Sequence, residues 1–557
     1  MPNQIRDISE TFVDEENSLI FEKNVSVPLK WNRGVLRINV YRPIAEGKYP
    51  SLVTYGPFHA KSFSEVNPAH KSKYSTWETP DPVFWTKRGY VVVRADEQGL
   101  EQSPGLLDTM SASTANSFFD LIEWTAVQNW CTGKVGLLGV SYYAGSQWRV
   151  AAKSPKGLAA IVPHEGMSDY YRDRCRQGGI LSNNFIDFWW NRQVITNQYG
   201  RPGRSKSRWG EDTIEGDLDA TELAQNCRDQ NADNAANPFL DDDCHAWKVF
   251  RLEDIEVPLL SVANWGGNTL HLRGNVEGYT WAGSKHKFLR FIVGRHDLPF
   301  YYNEEVEVQV DEWEDASSEY LLKGGVGFNN PDGEKSFPRR NEIEWPIART
   351  EYTKFYLTPV LGLETDPRGN GIEPAMLSYD AGDSSLNGTK ILEFRMLPVQ
   401  SELEVTGHVL AHLANLDLDL FLTVRHCSAA GKEISYTGSS GDAVPVTKGW
   451  LRTSMRKINP DSPYHRSYLP RREYRSIDVQ PVQSGVVYEC DVELWPTNVV
   501  VEQGRYLVLQ VSSADTDPGV GLFKHNSPVD QPAVKFSGRN NIHFDGHKNY
   551  LLLPVIP

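Results

Sequence analysis

One stretch constrains this chain more than any other: Gly139-Val140-Ser141-Tyr142-Tyr143-Ala144. It follows an apolar run (Val135, Leu137, Leu138) and precedes a helix-like stretch from Gly145 to Ala152. Strand, sharp turn and helix with serine at the apex make a nucleophile elbow, which holds the serine oxygen proud of a sheet. Small residues flank the serine because strand and helix approach closely there. Ala144 stands where the usual pattern has glycine. The plain alternative is a strand-to-helix turn capped by a serine. The apolar strand in front favours the elbow.

An elbow of this kind needs a parallel sheet around it. Leu36 to Tyr41 alternates like an exposed strand, and Ser51–Tyr55, Tyr90–Ala95, Lys134–Leu138 and Ala159–Val162 read as buried strands. Between them, Phe118, Leu121, Ile122, Trp124 and Val127 recur at helical spacing. Strand, helix, strand in this order predicts an α/β domain, a parallel sheet with helices on both faces. Residues 1–165 and 255–325 are assigned to it. Residues 166–254 are rich in Trp, Arg and Asn and are read as an inserted helical cap. Gly, Pro and charge crowd residues 324–346, which marks a boundary. Residues 345–557 carry many short alternating strands, predicting a C-terminal all-β sandwich or jelly roll.

The chain has 557 residues, more than the ~100–200 of one domain. Its net charge of -15 argues against nucleic acid and anionic membrane as partners, because phosphates demand a basic surface. The six cysteines are widely spaced, so buried thiols are expected rather than disulfides or a zinc site. The start of the chain lacks an apolar segment, and no run approaches ~18 apolar residues. A cytoplasmic protein is expected.

A serine hydroxyl needs a base, and in this fold the chain order is Ser, acid, His. His296, in Gly294-Arg295-His296-Asp297, follows the last clear strand of the α/β part and is the expected base; His271 and His286 are its rivals. Glu165 follows a predicted strand and is the favoured acid, with Glu277 second. The oxyanion hole is expected at the Tyr142 backbone N–H and in the loop Gly56-Pro57-Phe58-His59. Trp189, Trp190 and Trp265 are candidates for lining an apolar substrate pocket.

Several segments in the right order resemble the X-Pro dipeptidyl-peptidase and cocaine-esterase family of serine hydrolases. They are Val40-Tyr41-Arg42-Pro43, Asp96-Glu97-Gln98-Gly99 with Ser103-Pro104-Gly105, the elbow with Gln147-Trp148, Asp417-Leu418-Asp419-Leu420, and Gly449 to Ser454. The resemblance implies an α/β-hydrolase domain with a helical cap and a C-terminal β-sandwich, and ester or amide hydrolysis without a cofactor or metal; the family admits a homodimer that no residue here shows. Two departures stand out. The family's oxyanion tyrosine is replaced in Pro57-Phe58, leaving His59 or backbone to serve; losing such a donor costs about a hundred-fold in rate. The family's Trp-x-Asp acid is replaced in Trp265-Gly266-Gly267.

The leading expectation is therefore a serine hydrolase that cleaves an ester, thioester or amide of a bulky, largely apolar small molecule through an acyl-enzyme on Ser141. Acyl transfer, carbon–carbon cleavage or cyclisation of a natural product is the second reading. A catalytically silent binding protein is the third.

Overall fold

A computed structural model describes residues 8–57, 72–203, 216–296, 317–366, 375–381, 390–415, 419–516 and 523–557. Two large sheets organise them.

The first sheet has eleven strands. They are β1 (Glu10–Asp14), β2 (Leu19–Pro28), β3 (Val35–Pro43), β4 (Tyr49–Gly56), β5 (Val91–Asp96), β6 (Cys131–Val140) and β7 (Leu158–His164). After a small hairpin of β8 (Arg176–Gln177) and β9 (Ile180–Leu181) come β10 (Leu259–Asn264), β11 (Lys287–Ile292), β12 (Ser317–Tyr320) and β13 (Arg339–Glu342). The order across the sheet is β1-β2-β3-β5-β4-β6-β7-β10-β11-β12-β13. From β5 to β12 the pairings are parallel, while β1–β2–β3 and the final β12–β13 pair are antiparallel.

The crossover from β5 through β4 to β6 puts the C-terminal end of β6 near the middle of the sheet, where a doubly wound sheet opens its ligand crevice. Two helices brace it. The helix α1 (Ala112–Ala126) is capped by Ser111, whose side chain accepts from the Thr114 N–H, and it buries Phe118, Leu121 and Ile122. The helix α2 (Tyr142–Ala151) leaves the elbow and is buried along its whole length.

The sheet runs further than the sequence boundary near 325. The stretch Arg339-Arg340-Asn341-Glu342 reads as boundary because it is charged, yet it pairs as the edge strand β13. Charge is what an edge strand tolerates. Arg340 uses its position to pair with Glu404 at 2.7 Å, tying the edge to the C-terminal part.

Between β7 and β10 the chain leaves the sheet and forms short helical turns, among them Tyr170–Cys175 and Asn184–Trp189. From Glu351 onward the described elements are almost all β. They form a second sheet of twelve strands, whose longest pair is Leu403–Asn415 against Tyr488–Val501.

The two parts share one apolar core. Trp265, Leu272, Val276 and Phe291 from the first part lie in the same buried cluster as Phe394, Val424, Trp450 and Leu494 from the second. The buried Arg176 adds a polar tie, with Asp530 at 2.7 Å; Asp530 also pairs with Arg452 at 2.9 Å. The six cysteines are unpaired, and all but Cys227 are buried.

Candidate active site

Ser141 sits between β6 and α2 with φ 61° and ψ -116°. A non-glycine residue held there is strained, and such strain persists only where its surroundings over-determine it. Its N–H donates to the carbonyls of His164 and Glu165, both at 3.1 Å, which ties the elbow to the end of β7. A Cβ on Gly139 would lie 2.6 Å from the Tyr143 Cβ, so strand and helix meet too closely there for any other residue. Ala144, in place of the usual glycine, is accommodated by a glycine opposite: a Cβ on Gly166 would lie 2.4 Å from its own.

Glu165 follows β7 with φ 49° and is fully buried. Its N–H donates to the Val262 carbonyl at 2.8 Å. Asn264, at the end of β10, donates from one amide nitrogen to Glu165 Oε1 at 3.1 Å and to the Gly294 carbonyl at 2.9 Å. One side chain thus fixes the carboxylate relative to the loop that carries His296. That loop is also held by the second domain, because the His296 N–H donates to the Ser439 carbonyl at 3.0 Å.

His296 lies between two carboxylates. Its Nδ1 is 2.9 Å from Glu165 Oε2 and its Nε2 is 3.1 Å from Glu78 Oε1. Burial alone would lower its pKa, but Glu165 and then Glu78 hold it well above the usual histidine value. The imidazole that reaches the serine is His271, whose Nε2 is 3.4 Å from Ser141 Oγ. His271 stacks on His296 with ring centroids 5.2 Å apart and planes 12° from parallel. Burial, then the charges of His296 and Arg174, push its pKa well below the usual value.

These groups open onto a cavity of about 160 Å³. Trp77, Phe185, Trp189, Leu270 and Phe523 form its apolar wall, and Arg295, Ser439 and Ser440 its polar edge. Phe523 and the two serines come from the second domain. The Tyr142 N–H lies in the first turn of α2, where a backbone N–H has no intrahelical acceptor. Phe58 and His59, expected to complete an oxyanion hole, lie outside the described residues.

Sequence reasoning thus finds Ser141, Glu165, His296 and Trp189 in one place. The other candidates lie elsewhere. Glu277 is away from this cavity, where Arg466 pairs with it at 2.5 Å and Trp281 donates to it. Trp265 stacks on Phe291 at 3.9 Å and gives its N–H to the Tyr320 carbonyl, so its ring belongs to the core between the domains. Trp190 is buried behind Trp189, among Leu100, Leu107 and Val194, and is absent from the cavity wall. His286 lies before β11, at the opposite end of that strand from His296.

Glu78 was missed. It arrives in Trp77-Glu78-Thr79-Pro80, a segment with no motif, and reaches the site through a backbone with φ 60°. His271 carried a usable signal, since it follows a sheet strand and a Gly-Gly turn. Among the described residues, no group of His, Cys, Asp and Glu is arranged to hold a metal ion, and no helix is long and apolar enough to cross a membrane.

The model of the X-Pro dipeptidyl-peptidase S15 family matches residues 34–296, and that of the X-Pro dipeptidyl-peptidase C-terminal non-catalytic domain matches residues 313–552. The chain belongs to this family of hydrolases. Its N-terminal match ends on His296, and the fold is accordingly a catalytic domain followed by a largely β C-terminal domain. Within the family, it is 23% identical to the cocaine esterase of Rhodococcus sp. (strain MB1 Bresler), over 96% of this chain and 98% of that one. A CocE/NonD family hydrolase from Staphylococcus aureus superposes with a TM-score of 0.81 at 23% identity, covering 97% of this chain and 94% of that one. An α-amino acid ester hydrolase superposes with a TM-score of 0.66 at 15% identity, over 99% of both chains.

Proposed function

We propose that this enzyme cleaves an ester, thioester or amide of a largely apolar small molecule through an acyl-enzyme on Ser141. One observation carries the reading: a serine strained at an elbow faces an imidazole 3.4 Å away, at the wall of an aromatic cavity. The esterase and peptidase names of its relatives agree with it. Glu165 is the acid of the site, paired with the His296 imidazole, and the Tyr142 N–H faces the developing oxyanion.

The cavity limits what enters. A closed apolar space of about 150 Å³ holds a benzene ring. The space beside Ser141 is of that order, so one half of a bulky substrate sits there and the rest lies outside. Segment 166–254 acts as the cap over the acyl group, and the C-terminal domain is a jelly roll that closes the far side. A small-molecule substrate, no cofactor and a cytoplasmic site of action complete the reading.

The test is labelling with a fluorophosphonate probe, read by intact mass. One adduct, lost in Ser141→Ala, is expected, together with turnover of short acyl esters that the variant also loses. Turnover of a natural-product substrate that survives Ser141→Ala would instead support the second reading. Ligand binding without turnover would support a silent binding protein.

A further inference from the structure

We infer that His271 exchanges the proton of Ser141, while His296, clamped between Glu78 and Glu165, is a positioning cation beneath it. This rests on the hydrolase reading of Ser141.

The geometry separates the two imidazoles. A base needs a free lone pair. Both ring nitrogens of His296 face carboxylate oxygens, at 2.9 Å and 3.1 Å. Each contact is a strong hydrogen bond only if the nitrogen carries a proton, so the ring is an imidazolium with no lone pair to offer. The hydrogen bond that Ser141 Oγ makes among the described residues is with His271 Nε2, at 3.4 Å. That length suits a resting site whose contacts tighten when substrate binds.

His271 is built to be the neutral partner. It is 3% exposed, and the positive charges of His296 and Arg174 discourage a second resting proton nearby. Its Nδ1 is buried without a hydrogen-bond partner among the described residues. The usual orienting carboxylate is therefore absent from His271, and the stack on His296 sets its plane instead. Glu78 and Glu165 sit on the far ring as two carboxylates against one imidazolium. Arg295 is the other charged group on the cavity wall.

The step balances without a co-reactant. Ser141 Oγ bonds to the acyl carbon, its proton moves to His271 Nε2, and the carbonyl electron pair moves onto oxygen. Collapse breaks the bond to the leaving group, which takes the proton from Nε2. Water then repeats the sequence and frees the acid.

The experiment compares His271→Asn, His296→Asn and Glu78→Gln by fluorophosphonate labelling rate and by kcat on p-nitrophenyl acetate. His271→Asn should slow both by about a thousand-fold or more, and His296→Asn by about ten-fold to a hundred-fold. Glu78→Gln should slow labelling less than ten-fold. If His271→Asn labels within about three-fold of the parent, or if Glu78→Gln speeds labelling, His296 is the base and the inference is wrong. A second readout does not need turnover or a folded His271 variant. In ¹⁵N-histidine spectra of the parent enzyme, with His296→Asn for assignment, His296 should show the imidazolium pattern at pH 7.5 and His271 the neutral one. A neutral His296 at that pH overturns the inference. A parent enzyme that does not label at all overturns the hydrolase reading instead, and the spectra still decide this one.

Discussion

His296 Nδ1 lies 2.9 Å from Glu165 Oε2, although the two residues follow different strands, β11 and β7. The loop after β10 carries Trp265-Gly266-Gly267, and the carboxylate beside His296 comes from the end of β7 instead. Glu165→Gln keeps the shape and removes the charge. A fall of no more than about ten-fold to a hundred-fold in kcat with little change in KM is expected, from steady-state kinetics on short acyl esters. The pair also links stability to pH. The pKa of His296 is raised in the folded state, so its stabilisation is full below the ordinary histidine value and is lost as pH rises through the raised one. Thermal unfolding should therefore show Glu165→Gln less stable than the parent at pH 6, with the gap closing toward alkaline pH. A gap independent of pH would count against a charged His296.

Gly166 and Ala144 form a second coupled pair. A Cβ on Gly166 would lie 2.4 Å from the Ala144 Cβ and 2.8 Å from the Ala144 carbonyl carbon. Gly166→Ala should cost at least the 1–3 kcal/mol typical of overpacking. Adding Ala144→Gly removes the first clash and leaves the second. Denaturant unfolding should thus show partial rescue in the double variant, with a coupling energy above about 0.5 kcal/mol. Strict additivity would mean that the elbow relaxes in some other way.

How legible was this in the sequence? The elbow and the strands around it were read because apolar runs and a small–Ser–small turn are local signals. Glu165 and His296 were read because strand ends in a parallel sheet point into one crevice. What was not legible depends on distance. Glu78 belongs to a segment whose path is set by tertiary packing, and no periodicity announces it. Trp265 was misplaced because a strand-end tryptophan looks the same in sequence whether it faces a pocket or, as here, stacks on Phe291 beneath the second domain. Glu277 was a candidate on chemistry alone, and its Arg466 partner lies 189 residues away. The charged β13 looked like a linker because edge strands and linkers share composition.

Glu97, in the loop after β5, is fully buried and accepts a hydrogen bond from the Tyr142 hydroxyl at 2.9 Å. Burial pushes its pKa up to about 8, so it is a neutral acid at pH 7. A raised folded-state pKa means stability that is present at acid pH and is lost as pH climbs from the ordinary glutamate value through about 8. Glu97→Gln is neutral at every pH. Its unfolding free energy, relative to the parent, should rise between pH 5 and pH 9 by up to a few kcal/mol. A flat difference would show that Glu97 is ionised in the fold.

Phe523 tests whether the second domain takes part in substrate binding. It stacks on Phe185 with ring centroids 4.8 Å apart, and both rings line the cavity beside Ser141. The domain that supplies it matches a model described as non-catalytic, yet its ring completes the apolar wall of the cavity. An aromatic pair of this kind contributes about 0.5–1.5 kcal/mol, which corresponds to roughly 2- to 13-fold in affinity. Phe523→Ala should therefore raise KM by about that factor for esters whose acyl group fills the cavity. The same variant should leave kcat within about two-fold, because the ring does not reach the reacting atoms, and should leave acetyl esters almost untouched. Equal losses on acetyl and large acyl esters would mean instead that Phe523 supports the fold of the site, and that the acyl group rests elsewhere.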